Sequence, residues 1–236
     1  MNVLIACEES QRVCTAFRAR GFEAYSADIQ ECSGGHPEWH ILGDVLKVLN
    51  GGTFTTMDGQ EHTVNKWDCI IAHPPCTYLS NAGACRLYEK AGVLNKERYA
   101  KGLQGKEFFL KCLNADCKHI AVENPIPSTI YGLPDYTEYI QPFEFGEPWS
   151  KKTCLWLKNL PPLKPTEICR TYKPYIPSGT SKNKGNPDKR GISRRGGQLK
   201  GQEQDISRHS RCNGSTMGRL FTGHRRKTTY ILGGMI

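Results

Sequence analysis

The sequence predicts an α/β protein built on a doubly wound, mainly parallel sheet. Three observations carry this. Strand-like and helix-like segments alternate through the first half of the chain. Two apolar runs, Asp68–His73 and Lys118–Val122, stop abruptly at reactive polar residues, and apolar periodicity fades beyond about Lys164. A chain of 236 residues is long enough for one such domain with a full hydrophobic core.

Val3-Leu4-Ile5-Ala6 reads as the first strand. Ser10 is placed to cap a helix in which Val13, Ala16 and Phe17 share a face, and Gly21 stops it. Phe22 to Ala27 alternates as a second strand and ends at Asp28. An irregular loop with His and Gly leads through Trp39–Leu42 to Gly43-Asp44, then to a short helical run over Val45, Leu46 and Leu49. Asp58-Gly59 marks a hairpin-like insertion before the strand Asp68–His73. A polar loop follows, then a helix over about 102–114 and the strand Lys118–Val122, which ends at Glu123-Asn124-Pro125. A Pro-rich aromatic stretch and a last strand, Thr153–Leu157, complete the main domain, 1–163. Residues 164–236 form a short basic recognition or tail region.

Charge divides the chain the same way. Residues 1–163 hold 16 Lys/Arg against 19 Asp/Glu, a net of −3, while 164–236 hold 16 against 4, a net of +12. The formal total of +9 therefore comes from the C-terminal part, which suits phosphate tracking or a solvated extension. No apolar run approaches 18 residues and no charged-then-apolar leader opens the chain, so the expectation is a soluble, cytoplasmic protein with no membrane partner. Eleven cysteines, an odd number scattered through apolar segments, suit reduced thiols better than a disulfide framework. Cys112 and Cys117 stand five apart without a second ligand pair, and no metal is expected.

The most informative stretch is Pro74-Pro75-Cys76. Two prolines end the ladder and set the following thiol on a stiff turn at a strand's carboxyl end, where open α/β sheets bind ligands. Glu8-Glu9, Asp28 and Glu123-Asn124 stand at the ends of other strands and can share that crevice.

Taken in order, residues 2–163 resemble the DNA (cytosine-5) methyltransferase family, and look most like its compact phage- or prophage-type members. Asp68 to Gly83, with Pro74-Pro75-Cys76, Ser80 and Gly83, is similar to the motif carrying the nucleophilic cysteine. Val122-Glu123-Asn124 resembles the Glu-Asn motif that contacts the target base. The resemblance implies the Rossmann-like fold of S-adenosylmethionine-dependent methyltransferases, with Cys76, Glu123 and Asn124 catalytic. It also implies that the cofactor is S-adenosylmethionine, held by Ala6, Cys7, Glu8, Glu9, Ser10, Asp28, Ile29, Asp44 and Pro74, and that the partner is DNA with its target cytosine flipped out. Pro75, Ser80, Gly83, Lys151 and Lys152 would face substrate or DNA. The loop Thr77–Gly83 would close over the base with Gly83 as hinge.

Two departures stand out. The family's Gly-rich turn after strand one is replaced by Ala6-Cys7-Glu8-Glu9-Ser10-Gln11, without a glycine, which leaves Glu8 or Glu9 to meet the cofactor's methionine part. The family's Gln-x-Arg-x-Arg segment has no literal copy, and Ser150-Lys151-Lys152-Thr153 stands in a similar place. Lysine lacks arginine's planar fork, so the exchange alters recognition.

The chemistry asks for these residue types. Cytosine C5 is a poor nucleophile until a thiolate adds to C6, and Cys76 is the candidate. The ring charge created by that addition calls for a carboxyl group able to protonate N3, and Glu123 is the candidate. Two other readings compete: C5 modification of a free pyrimidine nucleotide or with another one-carbon unit, and a decayed prophage protein that binds DNA or nucleotide without turnover.

The tail carries its own signal. Codons chosen for Gln202 to Leu220 and read one base later spell Lys-Ser-Lys-Thr-Tyr-Pro-Gly-Ile-Ala-Asp-Ala-Met-Ala-Ala-Gln-Trp-Gly-Gly, which resembles the closing segment of the compact members. A frameshift upstream of about Gln202 would leave the last 35 or so residues out of frame and disordered. The gene's codons decide it: codons that do not give this peptide in the shifted frame exclude the frameshift.

Overall fold

The computed structural model describes residues 1–84 and 86–174. The predicted tail from Gln202, and all but eleven residues of the basic region, lie outside the described residues. Among the described residues no helix is long and apolar enough to cross a membrane.

Seven strands form one sheet: β1 (Asn2–Ala6), β2 (Glu23–Asp28), β3 (His40–Leu42), β4 (Cys69–Ala72), β5 (His119–Pro125), β6 (Glu138–Ile140) and β7 (Thr153–Lys158). Their order is β3-β2-β1-β4-β5-β7-β6. The first five pair in parallel, while β7 runs antiparallel to both β5 and β6. The chain winds outward from β1 to β3, then restarts at β4 on the other side of β1. That reversal is the switch point at which doubly wound sheets open a crevice beyond their carboxyl ends.

Helix α1 (Arg12–Arg18) covers one face, with Val13, Cys14 and Phe17 packed on Val3, Ile5, Cys69, Ile71 and Ala121. Helix α2 (Lys96–Leu113) covers the other, with Phe109 and Cys112 on Leu4, Ala6, Ile70, Ala72, Ile120 and Val122. These central strands are buried on both faces, which is why they read as continuous apolar runs.

Several elements differ from the sequence reading. Ser10 does not cap α1: Gln11 occupies the cap position in a left-handed conformation, and the Glu8 carboxylate accepts from Val13 N at 2.6 Å and Cys14 N at 3.1 Å. A carboxylate reaches two orphan amides at once, which a serine hydroxyl cannot. Helix α2 begins six residues earlier than expected because Asn95 caps it, accepting from Arg98 N at 2.8 Å, and Glu97 pairs with Lys101 in its first turn. Strand β6 lies within the stretch read as Pro-rich and aromatic, and the polar loop after Cys76 holds a helical turn, Asn81–Ala84, and a small hairpin of Tyr88–Lys90 with Val93–Leu94. The Asp58-Gly59 hairpin forms as expected, pairing Gly52–Thr55 with Glu61–Val64. Beyond the last sheet strand, Thr166 and Glu167 donate to Glu144 O, Cys169 to Phe143 O and Lys173 to Pro148 O, so residues 166–174 run beside 143–150.

Candidate active site at the carboxyl edge

Strand alternation sorts the polar residues at the carboxyl edge by face. Ile71 and Ala121 pack under α1, so His73 and Glu123, two residues on, point the same way. His73 still belongs to the ladder, donating its backbone N–H to Ala6 O at 2.9 Å. Glu8, tied to the start of α1, joins them. Three adjacent strands thus end in a row, Glu8, His73 and Glu123, all buried.

His73 Nδ1 stands 3.6 Å from Glu123 Oε2, and neither ring nitrogen has a hydrogen-bond partner among the described residues. The Glu8 carboxyl is pushed above the ordinary glutamate range by burial, against the opposing pull of His73 and the amides of Val13 and Cys14. Asn124 points to the α2 side, opposite Cys154 on β7, completely buried and with neither amide atom hydrogen-bonded among the described residues. Buried polar groups are almost always satisfied, and an orphaned cluster at a switch point is what a ligand-directed site leaves behind.

Cys76 follows at the end of the Pro74-Pro75 turn and is fully buried. Its sulfur is in a disulfide, whereas Cys7, Cys14, Cys32, Cys69, Cys112, Cys117, Cys154 and Cys169 are free. This differs from the expectation of reduced thiols throughout. A nucleophilic role belongs to the reduced form. No other thiol with a resolved shift offers a substitute. Burial pushes Cys112 and Cys69 up to about 12 and Cys154 up to about 11, and it raises Cys14 and Cys117 as well.

The loop over Cys76 is stitched down. Ser128 N donates to Leu79 O at 2.7 Å and Asn81 N to Ile126 O at 2.9 Å, which ties residues 79–81 to the segment leaving β5. Ser80 is buried, and its Oγ accepts from Gly83 N at 3.2 Å. Gly83 sits in a helical turn pressed on the Thr77 carbonyl, where a Cβ would clash. It is a close-packing glycine in this arrangement. Arg98 closes the loop from α2, donating to Thr77 O at 3.3 Å and Gly83 O at 3.1 Å while lying over the Tyr78 ring.

The residues assigned to a cofactor divide into two groups. Cys7 takes a left-handed φ of 61° and donates to Ala27 O at 2.7 Å; Gln11 takes φ 55°. Ordinary side chains thus occupy backbone conformations that glycine adopts at less cost. The Cys7 thiol is pushed well above its ordinary value by burial and by neighbouring Cys112, Asp28 and Asp44, so those groups lie around one spot. Asp28 is partly buried, its carboxyl raised by burial and opposed by the Gln30 amide. Ile29 is 78% exposed at the rim. Asp28, Asp44 and Ile29 are the residues of this corner that could hold a cofactor.

The second group serves the protein. Ala6 is in the core, Pro74 is buried, Glu8 caps α1, and Glu9 accepts the Ser33 hydroxyl. Asp44 caps the short helical turn Val45–Lys47, its Oδ1 accepting from Leu46 N at 3.0 Å. Ser10 lends its carbonyl to the close approach of Gly34. Pro75 is exposed, and Lys151 is partly buried. Lys152 donates to Tyr136 OH at 3.1 Å and lies 4.0 Å from the Tyr139 ring centre, so its charge rests on aromatics at the β6–β7 edge. Sequence reading missed His73, although a histidine closing an otherwise apolar strand was the available signal.

Fold and edge together define a doubly wound α/β domain with buried polar side chains gathered at the carboxyl edge of its switch point. No protein-family model matches the chain, and no curated protein matches it. Among solved structures it is similar to the S. pombe Dnmt2 methyltransferase, at 11% identity and a TM-score of 0.35, covering 66% of this chain and 48% of that one. The chain therefore spans about half the length of that protein.

Proposed function

We propose that the protein is an S-adenosylmethionine-dependent DNA (cytosine-5) methyltransferase acting through a covalent Cys76 adduct. One observation carries the reading: Glu123 and Asn124 are buried, Asn124 with neither amide atom hydrogen-bonded among the described residues, and they close the strand next to the one that presents Cys76. Nothing in the packing of an ordinary core calls for that arrangement.

In this reading the cofactor supplies an electrophilic methyl group. Asp28 and Asp44 would hold its hydroxyls and Ile29 would cover its ring, with the Cys7 turn setting the depth of approach. The reduced Cys76 thiolate adds to C6 of a flipped cytosine, Glu123 protonates N3, and Asn124 holds the base's polar edge. After methyl transfer the C5 proton leaves, the Cys76–C6 bond breaks, and aromaticity returns. The stitches between residues 79–81 and 126–128 must open to admit a base. Lys151, Lys152 and the basic residues after 163 would contact phosphates.

The test is incubation of reduced full-length protein with labelled S-adenosylmethionine and unmethylated DNA, followed by digestion to nucleosides. The reading expects labelled 5-methylcytosine that disappears in Cys76→Ser. Label on free nucleotides but not on DNA would replace it with the nucleotide-modifying alternative, and cofactor binding without any transfer would replace it with the non-catalytic one.

A further inference from the structure

His73 has no role in the reading so far, yet its placement is the least expected in the molecule. One step earlier on the same face the strands carry Ile71 and Ala121, and a purely structural site would continue in that manner. Instead a histidine stands between two buried carboxylates, Glu8 from the turn after β1 and Glu123 from β5. The side chain of His73 is wholly withdrawn from solvent, and that of Glu123 is 5% exposed. The facing groups can be named by element. The turn after β1 contributes Glu8, with Glu9 beyond it; α1 contributes the amides that hold Glu8; β5 contributes Glu123; β7 contributes Cys154, within electrostatic reach of Glu123.

At 3.6 Å the His73–Glu123 pair is just too open for a direct hydrogen bond, and a small rotation of either side chain closes it. Apo geometries of catalytic pairs are commonly long in this way. Glu8 is fixed by two amides and cannot follow, so it serves as the ring's fixed electrostatic neighbour.

We propose that His73 is the positioning residue for Glu123, holding its carboxyl toward the target base and sharing with it the proton that reaches cytosine N3. This rests on the methyltransferase reading. When Cys76 adds to C6, the proton on Glu123 Oε2 passes to N3. When the adduct collapses, N3 returns it to Glu123, and His73 Nδ1 is the group with which Glu123 exchanges it. No other reactant is needed.

The experiment compares wild-type, His73→Asn and Glu8→Gln full-length protein, reduced, in DNA methyl transfer across mildly acidic to alkaline pH. His73→Asn is expected to lower kcat by about 100-fold with little change in KM for DNA, and to remove one limb of the pH profile. Glu8→Gln is expected to move that limb. A wild-type kcat and pH profile in folded His73→Asn overturns the inference alone, while a wild-type chain that transfers no methyl group overturns the underlying reading and the inference with it. If His73→Asn does not fold, the ring-nitrogen NMR signals of wild type and Glu123→Gln decide: a displaced His73 signal is expected, and superimposable spectra overturn the proposal.

Discussion

The two ends of the central strands make opposite use of polar residues. At the amino edge they are exposed and satisfied. Asn2 N donates to Asp68 Oδ2 at 2.7 Å, Asp116 N to Asn50 Oδ1 at 3.0 Å, Asn159 Nδ2 to Lys118 O at 2.8 Å, and Lys66 pairs with Asp116. At the carboxyl edge they are buried, and the His73 and Asn124 side chains lack hydrogen-bond partners among the described residues. The same strands join both edges, so the difference does not come from the fold. Orphaned buried groups cost stability, whereas exposed pairs contribute little either way. The carboxyl edge therefore holds the groups a site needs, at an expense the amino edge never meets.

The sharpest way to break this contrast is at Cys76. In the methyltransferase reading, Cys76→Ser lowers methyl transfer at least about a thousandfold, and wild-type protein is active only after a thiol reductant opens the disulfide. Activity rates with and without reductant check both. Glu123→Gln comes next, with an expected loss in kcat of about 100-fold and folding intact.

Effects on stability should follow packing. Phe109 is fully buried and meets Trp156 edge-on at 4.8 Å, so Phe109→Ala should cost about 3–5 kcal/mol in denaturant unfolding. Gly83→Ala should cost about 1–3 kcal/mol, because a Cβ would strike the Thr77 carbonyl and displace the loop over Cys76.

The smallest effect concerns pH. The Glu8 carboxyl is raised by burial, so the folded state holds its proton more tightly than the unfolded chain. Its contribution is fully present below the ordinary glutamate range and is lost as pH rises through the raised value. Glu8→Gln keeps an acceptor for the α1 amides without the charge. Unfolding midpoints should therefore fall less steeply in the variant than in wild type as pH rises above that range.

Much of this was legible in the sequence because the central strands are apolar on both faces and end at chemically distinct residues. Val3–Ala6, the run to His73 and the run to Glu123 needed only length and apolar content to be read. Strand β6 escaped because three residues between prolines and aromatics carry no period, and its existence depends on β7 beside it. The α1 cap escaped because Glu8 reaches it from a turn whose shape depends on positive φ at Cys7 and Gln11. Convergence of Glu8, His73 and Glu123 is a fact of strand order, which single segments do not encode. The packed role of Gly83 and the disulfide at Cys76 likewise arise from contacts made only after folding.

The central claim is that Cys76, once reduced, bonds to cytosine C6, and trapping tests it most directly. Reduced full-length protein is incubated with S-adenosylmethionine and duplex DNA containing 5-fluorocytosine, and the adduct is mapped by mass spectrometry. The account predicts a covalent complex on the peptide bearing Cys76, absent in Cys76→Ser. Methylation of ordinary DNA by the same preparation with no adduct at Cys76 would contradict it.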